Sequence, residues 1–529
     1  MRALHRAKVQ MFIILFLSFT ARILISWLPF DWLLVTLLTD DAFYYFKIAA
    51  NTVKGLGVSF DGLSPTNGFH PLWLAIILPL FAALGEDKIL VIRAVLSVAA
   101  VLDTAAIYVL YKICADSLSL HHTVSLAVAI LYGFNPWILL SDGGTLNGVE
   151  TAANVFFVLL FLRTYFDTFK SGQVRPLRLG LVSGATLLAR TDNAILVACC
   201  FIFALWQYRG CPLVIRQWIA AAPVAGLVIF PFFLWSFSSV GTVVQTSAVS
   251  LPVITKTLLS VDRWSIADRV AQYVKNLLNL GIAMGIPVRS KTEPLFILCL
   301  TAGGAVATTL GLIWWKHRGQ QGVRQISSDV RFAVLLLMIV MMFVGAHTLR
   351  AVYLRPWYYT PLVPMMLLAI GIVLNQSVLY LPLGRRLVMV TFAILLALFT
   401  VGVVRTAVWP PLPEARDLIA ALETIRPVLP PGSRVGSFNA GIIGYFLDGA
   451  TVVNLDGVVN NRVYPYLRRR ELDIYIRAAQ LEYIMERADL IPKVKAHLMR
   501  DQEWARRWRL VSRYPGRHLT IELWAVPRE

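Results

Sequence analysis

TDDAFYYFKIAANTVKGLG, residues 39–57, begins a few residues beyond an apolar run from about residue 10 to Phe30, and this junction decides the fold. An apolar run of about 20 residues crosses a bilayer core as a helix. Arg2, Arg6 and Lys8 precede it, and no small-residue cleavage site closes it, so it reads as a signal anchor whose N-terminus stays in the cytoplasm. The Asp40–Asp41 pair therefore stands at the outer end of the first span. Behind it, residues 42–54 alternate at helical spacing, with Tyr44, Lys47, Asn51 and Lys54 on one face and Phe43, Phe46, Ala50 and Val53 on another. That pattern predicts an amphipathic helix lying on the outer membrane surface.

Further along, apolar runs recur near 89–111, 124–140, 150–168, 179–190, 193–208, 217–236, 294–315, 332–349, 361–380 and 387–408, which with the first makes about eleven transmembrane helices. With the N-terminus inside, five loops fall on the cytoplasmic side. They hold Lys112; Lys170, Arg175 and Arg178; Arg209 and Arg216; Lys316, Arg318, Arg324 and Arg331; and Arg385 and Arg386. All are basic, as the positive-inside rule requires, while the loop 141–150 between them has no Lys or Arg. The segment 71–84 is apolar but too short to span, so it reads as an interfacial or re-entrant helix within a first external loop, 31–88.

The chain of 529 residues is 57% hydrophobic and 15% charged, with 49 Lys and Arg against 30 Asp and Glu. The +19 charge sits largely in short loops between spans, which excludes a nucleic-acid partner and points to the lipid bilayer. The five cysteines fall in or beside apolar segments, without disulfide or Cys/His metal spacing. After Trp409, Pro410, Pro411 and Pro413 the composition becomes that of a soluble domain. The expected division is a membrane domain, 1–408, and a small external α/β domain, 409–529. In the latter we expect a helix at 414–427, strands at 435–438 and 451–455, a longer helix near 469–487 and a hairpin turning at Pro515–Gly516.

Chemistry is expected at the outer boundary. Adjacent carboxylates such as Asp40 and Asp41 repel each other and are costly to desolvate, although Asp is also a good helix cap. Asp142 and Glu150 supply a second acid in the next external loop, able to hold an acceptor or a cation, or simply to start a helix. Arg190, in a tight turn with Asp192, and Arg350 and Arg355 run against the positive-inside bias, which a phosphate ligand explains; an ion pair or a lipid headgroup explains them equally. His70 adds a donor for the same phosphate, with simple packing as the alternative. Asp103 lies within a span and suits a transporter, or an interhelical pair. Gly180 and Gly184 form a GxxxG of the kind that lets helices pack closely.

The order of span, Asp40–Asp41, amphipathic helix, Gly55-Leu56-Gly57, Asn67-Gly68-Phe69-His70-Pro71 and re-entrant stretch resembles the GT-C class of integral membrane glycosyltransferases. The similarity is closest to arabinofuranosyltransferases and more distant to protein O-mannosyltransferases and aminoarabinose transferases. Those enzymes often carry Asp-Glu where this chain has Asp-Asp. The resemblance implies a multi-pass protein of the plasma (inner) membrane that moves a sugar from a polyprenyl-phosphate donor to a glycan, lipid or protein acceptor outside. It implies Asp40 as general base with Asp41 orienting it, and Arg190, Arg350, Arg355 and His70 around the donor phosphate. An inverting transfer of this kind needs no cofactor, and a divalent metal stays open. A flippase or transporter of lipid-linked substrates is the competing reading, and would show charged residues near mid-membrane and an internal repeat. A third is a scaffold that recruits envelope enzymes through its C-terminal domain.

Overall fold

The computed structural model describes residues 2–261, 264–285, 323–351, 354–380, 384–408 and 410–527. The expected span at 294–315 lies outside the described residues. In chain order the membrane part contains α1 (Arg2–Ser26), α2 (Phe30–Thr36), α3 (Asp40–Val53), α4 (Pro71–Leu84), α5 (Lys88–Lys112), α6 (His122–Gly133), α7 (Pro136–Leu140) and α8 (Thr151–Ser171). It continues with α9 (Pro176–Ala189), α10 (Ala194–Gln207), α11 (Pro212–Val240), α12 (Thr246–Leu258), α13 (Ile266–Ala283), α14 (Val323–Ala351), α15 (Pro356–Tyr359), α16 (Leu362–Tyr380) and α17 (Gly384–Val408). Among the described residues, 7 helices are long and apolar enough to cross a membrane, and shorter apolar helices lie at Pro71–Leu84, Pro176–Ala189, Thr191–Gln207 and Phe392–Val404.

α4 does not need to cross. On its N-terminal side Asn67 accepts a hydrogen bond from Asn461 Nδ2 at 2.8 Å, and just beyond its C-terminus Lys88 pairs with Asp448 at 2.7 Å. Both flanks thus meet the C-terminal domain, so α4 leaves one face of the membrane part and returns to it. At the other face, Lys170 reaches Ser119 and Arg331 reaches Gln207, which gathers basic loops away from that domain. α9 and α11 close on the two small residues of the GxxxG: a Cβ on Gly180 would lie 2.5 Å from the Ala221 carbonyl oxygen, and one on Gly184 would lie 2.6 Å from Val228 Cβ.

The C-terminal domain starts with α18 (Glu414–Ile425) and carries a five-stranded sheet of order β2-β1-β3-β5-β4. β1 (Arg434–Ser437) pairs in parallel with β2 (Thr451–Asn454) and β3 (Tyr483–Arg487), while β5 (Thr520–Ala525) runs antiparallel to both β3 and β4 (Arg509–Pro515). The long helix expected near 469–487 is not formed. Short helices Tyr464–Arg469 and Leu472–Ala478 occupy its first half, and β3 its second. Arg470 and Gln480 adopt φ of 60° and 53°, which ends each helix, and the buried Ile484 and Met485 fill the middle of the sheet.

α19 (Ala440–Phe446), which follows β1, docks on α3. The ring of Tyr445 packs 5.8 Å from those of Phe43 and Phe46. α3 therefore does not lie open on the membrane, as its amphipathic pattern suggested. Its apolar face is roofed by the C-terminal domain, and even Asn51 on its polar face is buried, bonded to the carbonyls of Ser59 and Phe60. Gly441 makes this docking possible, since a Cβ there would fall 2.0 Å from the Asp40 carbonyl oxygen. Gly441→Val should cost about 1–3 kcal/mol by overpacking. Faster limited proteolysis around residues 409–413 is the expected readout, and an unchanged cleavage rate would count against a rigidly docked domain.

Candidate active site

Where the start of α3, the turn before α10, the segment around α15 and the loops after β1 and β2 meet, they enclose a cavity of about 450 Å³. Seven side chains singled out in the sequence line it: Asp40, Asp41, His70, Asp142, Arg190, Arg350 and Arg355. Glu150 lies behind them, lining a smaller adjoining cavity with Asp41, His70 and Arg190.

The two aspartates differ in what they do. Asp40 accepts hydrogen bonds from the backbone N–H of Gly441 at 3.0 Å and of Ile442 at 2.8 Å, one on each carboxylate oxygen. It caps α19 and ties the two domains together. Burial pushes it up to about 6, against the pull of those two N–H groups. Asp41, one residue on and so turned about 100° round the helix, accepts no hydrogen bond among the described residues and faces the cavity. Burial raises its pKa, Arg355 and Arg190 lower it, and Glu150 raises it.

Arg190 is committed elsewhere. Its Nε and Nη2 grip Asp192 at 3.0 and 2.7 Å in a bidentate pair, its Nη1 binds Glu150, and its guanidinium stacks 4.4 Å from the Tyr358 ring centre. Tyr45 donates to the other oxygen of Glu150 at 2.8 Å, and His347 contacts Asp192 at 3.2 Å. Two carboxylates pair with this arginine, as the ion-pair alternative expects, and it lines the cavity as well. The same pairing occupies Glu150. Burial lowers the His70 pKa, with Glu150 pulling the other way and Arg190 adding to the lowering. Arg350, which donates to the Ala248 carbonyl, and Arg355 line the cavity as well.

Three contributors escaped the sequence reading of the site. Asp456 lines the cavity, and burial pushes it up to about 7 with help from Asp41 and Asp40. Thr39 and Glu414 line it as well. Asp142 is raised to about 6 by burial, with Glu414 adding to it. Among the described residues no three His, Cys, Asp or Glu side chains converge as metal ligands.

No curated protein matches the sequence. A family model described as a domain of unknown function (DUF8728) matches residues 414–526. The solved structures similar to the chain include the Archaeoglobus fulgidus oligosaccharyltransferase in its apo form, at 12% identity over 99% of this chain and 74% of that one, with a TM-score of 0.56. The archaeal oligosaccharyltransferase AglB from Archaeoglobus fulgidus, in complex with an inhibitory peptide and a dolichol-phosphate, matches over the same shares at 12% identity and a TM-score of 0.53. ArnT from Cupriavidus metallidurans bound to undecaprenyl phosphate is 11% identical over 96% of this chain and 97% of that one, with a TM-score of 0.49. At such identities the likeness is one of fold.

Proposed function

We propose that this chain, whose fold is that of the GT-C class of integral membrane glycosyltransferases, moves a sugar from a polyprenyl-phosphate donor to an acceptor hydroxyl at the external membrane face. The observation that carries this reading is the cavity that Asp41 shares with Arg350 and Arg355 between membrane helices and the C-terminal domain. A dolichol-phosphate in the AglB complex supports a polyprenyl phosphate as carrier. In this reading the N-terminus lies in the cytoplasm and the C-terminal domain outside, an orientation that the five basic loops support.

The residues fit the chemistry of an inverting transfer. Asp41 takes the proton of the acceptor hydroxyl, the acceptor oxygen bonds to the anomeric carbon, and the bond from that carbon to the phosphate oxygen breaks. The electron pair leaves with the polyprenyl phosphate, a weak base that needs positive charge rather than a proton, and Arg350 and Arg355 supply it. Asp40 is the orienting residue and Asp41 the base, the reverse of the assignment drawn from the resemblance. Each Asp40 oxygen already accepts a backbone N–H of the C-terminal domain, which fixes its orientation, whereas Asp41 carries no such bond. The test is consumption of polyprenyl-phosphate sugars by purified protein across a panel of pentoses and hexoses. Consumption of none, with the fold intact, overturns the reading.

The base also sets a pH dependence. It must be ionised, so activity falls as pH drops through the Asp41 pKa, which burial places above the ordinary 3.8. Because the Arg355 charge holds that pKa down, Arg355→Gln should move the acid limb of the kcat profile to higher pH, in addition to weakening donor binding. A pH–rate profile with an unmoved acid limb would remove Asp41 as the titrating base.

A further inference from the structure

Arg350 and Arg355 line the cavity together with Asp41, Asp142, Glu414 and Asp456, and Arg190 is paired with Glu150 and Asp192. If the arginines hold the donor phosphate and Asp41 meets the attacking hydroxyl, the acceptor lies among the carboxylates.

Two side chains there are built to receive it. Thr39 stands at the N-cap of α3, yet its hydroxyl caps nothing. The residue is 3% exposed, its Oγ1 is buried with no hydrogen-bond partner among the described residues, and it lines the cavity. A buried hydroxyl is ordinarily satisfied, so a spare one beside the base marks a ligand position. Asp456 enters from the C-terminal domain on a clamped loop. Its Oδ1 accepts from the Val458 N–H at 2.8 Å, Thr246 donates to the Gly457 carbonyl at 2.9 Å, and Asn460 donates to the Asn454 carbonyl at 2.7 Å. Asn454 and Asn460 are engaged in holding this loop, while Asn461 bonds Asn67. Asp456, not these asparagines, lines the cavity.

We propose that Thr39 and Asp456 form the acceptor subsite and that the acceptor is a neutral, polyhydroxylated glycan. Sugar hydroxyls bond to the carboxyl groups and donate to or accept from Thr39, whereas a uronate, a phosphorylated lipid or an acidic peptide would add a further negative charge to a lining already rich in acids. The proposal rests on the transferase reading above.

The test uses the full-length protein, the polyprenyl-phosphate sugar it consumes, and octyl α-mannoside, octyl β-galactoside and octyl β-glucuronide as acceptors. Thr39→Val should raise the KM for a neutral glycoside about tenfold, with Tm unchanged because the hydroxyl makes no bond within the protein. Asp456→Asn should do the same, the effect appearing in acceptor KM rather than kcat. Wild type should use the glucuronide at least about tenfold less well in kcat/KM, and Asp456→Asn should narrow that gap. A KM within twofold of wild type in both variants, a lowered Tm in Thr39→Val, or a preference for the glucuronide overturns the proposal. So does donor hydrolysis without transfer to either neutral glycoside. Failure to consume any donor instead strikes the transferase reading, which keeps the two failures apart.

Discussion

Asp41→Asn should abolish most sugar transfer, lowering kcat by roughly 10²–10⁴-fold, the contribution of a positioned general base. The amide is nearly isosteric and Asp41 holds no hydrogen bond among the described residues, so the fold has little reason to change. Asp40→Asn should behave differently. An amide can accept only one of the two N–H bonds that α19 offers and turns its own NH₂ toward the other. The expected loss there is interdomain, about 1–3 kcal/mol of docking for a buried donor left unmade, seen as a lower Tm and quicker proteolysis. Its kcat should stay at least about tenfold above that of Asp41→Asn. Steady-state kinetics on both variants, beside their melting curves, decide the matter. Equal kcat values in the two variants, or a nearly active Asp41→Asn, would return the role of base to Asp40 or remove it from the pair.

The contrast between these neighbours shows what a sequence can and cannot reveal. That an acid pair at the outer end of a span deserved notice followed from solvation alone, and the cavity contains both. Their separate roles depend on Gly441, 400 residues away, which only the docked domain brings near. Charge bias alone picked out Arg190, Arg350 and Arg355, and all three line the cavity. The pair with Asp192 was already the local alternative, but the second partner, Glu150, is brought to Arg190 only by the packing of α8 against α9. The short segment 71–84 was legible because length is a sequence property, and its bounds coincide with α4. α13 was overlooked although its signal was present: Ser265 and Asp268 form a capping box, and its apolar residues follow helical spacing. A search for long apolar runs passes over such an amphipathic helix. The strand Tyr483–Arg487 was lost for the opposite reason, because five residues carry too little periodicity to outweigh the helical sequence before them.

The second large effect concerns the one acid that suited a transporter. Asp103→Ala should destabilise the protein by about 3–5 kcal/mol, because it strands a buried arginine. Asp103 and Arg22 are both 0% exposed and lie 2.6 Å apart, and Tyr132 at 2.6 Å and Thr145 at 2.8 Å complete the carboxylate's shell. Arg22 also donates to the Gly133 carbonyl at 3.0 Å. The cluster therefore stitches α1 to α5, α6 and the loop before α8. Both charged members are shut off from solvent. An acid that carries a proton or an ion must change partners during transport, and this one holds Arg22, Tyr132 and Thr145 at once. The discriminating variant replaces both members of the pair, as Arg22→Met with Asp103→Leu. Apolar residues of similar volume often restore or exceed the stability of a buried pair, so the double variant should recover most of the Tm lost in Asp103→Ala and should still transfer sugar. A double variant that folds to wild-type stability yet loses all activity would show that the charge at position 103 serves the reaction cycle itself, and would revive a moving, transporter-like step in this fold.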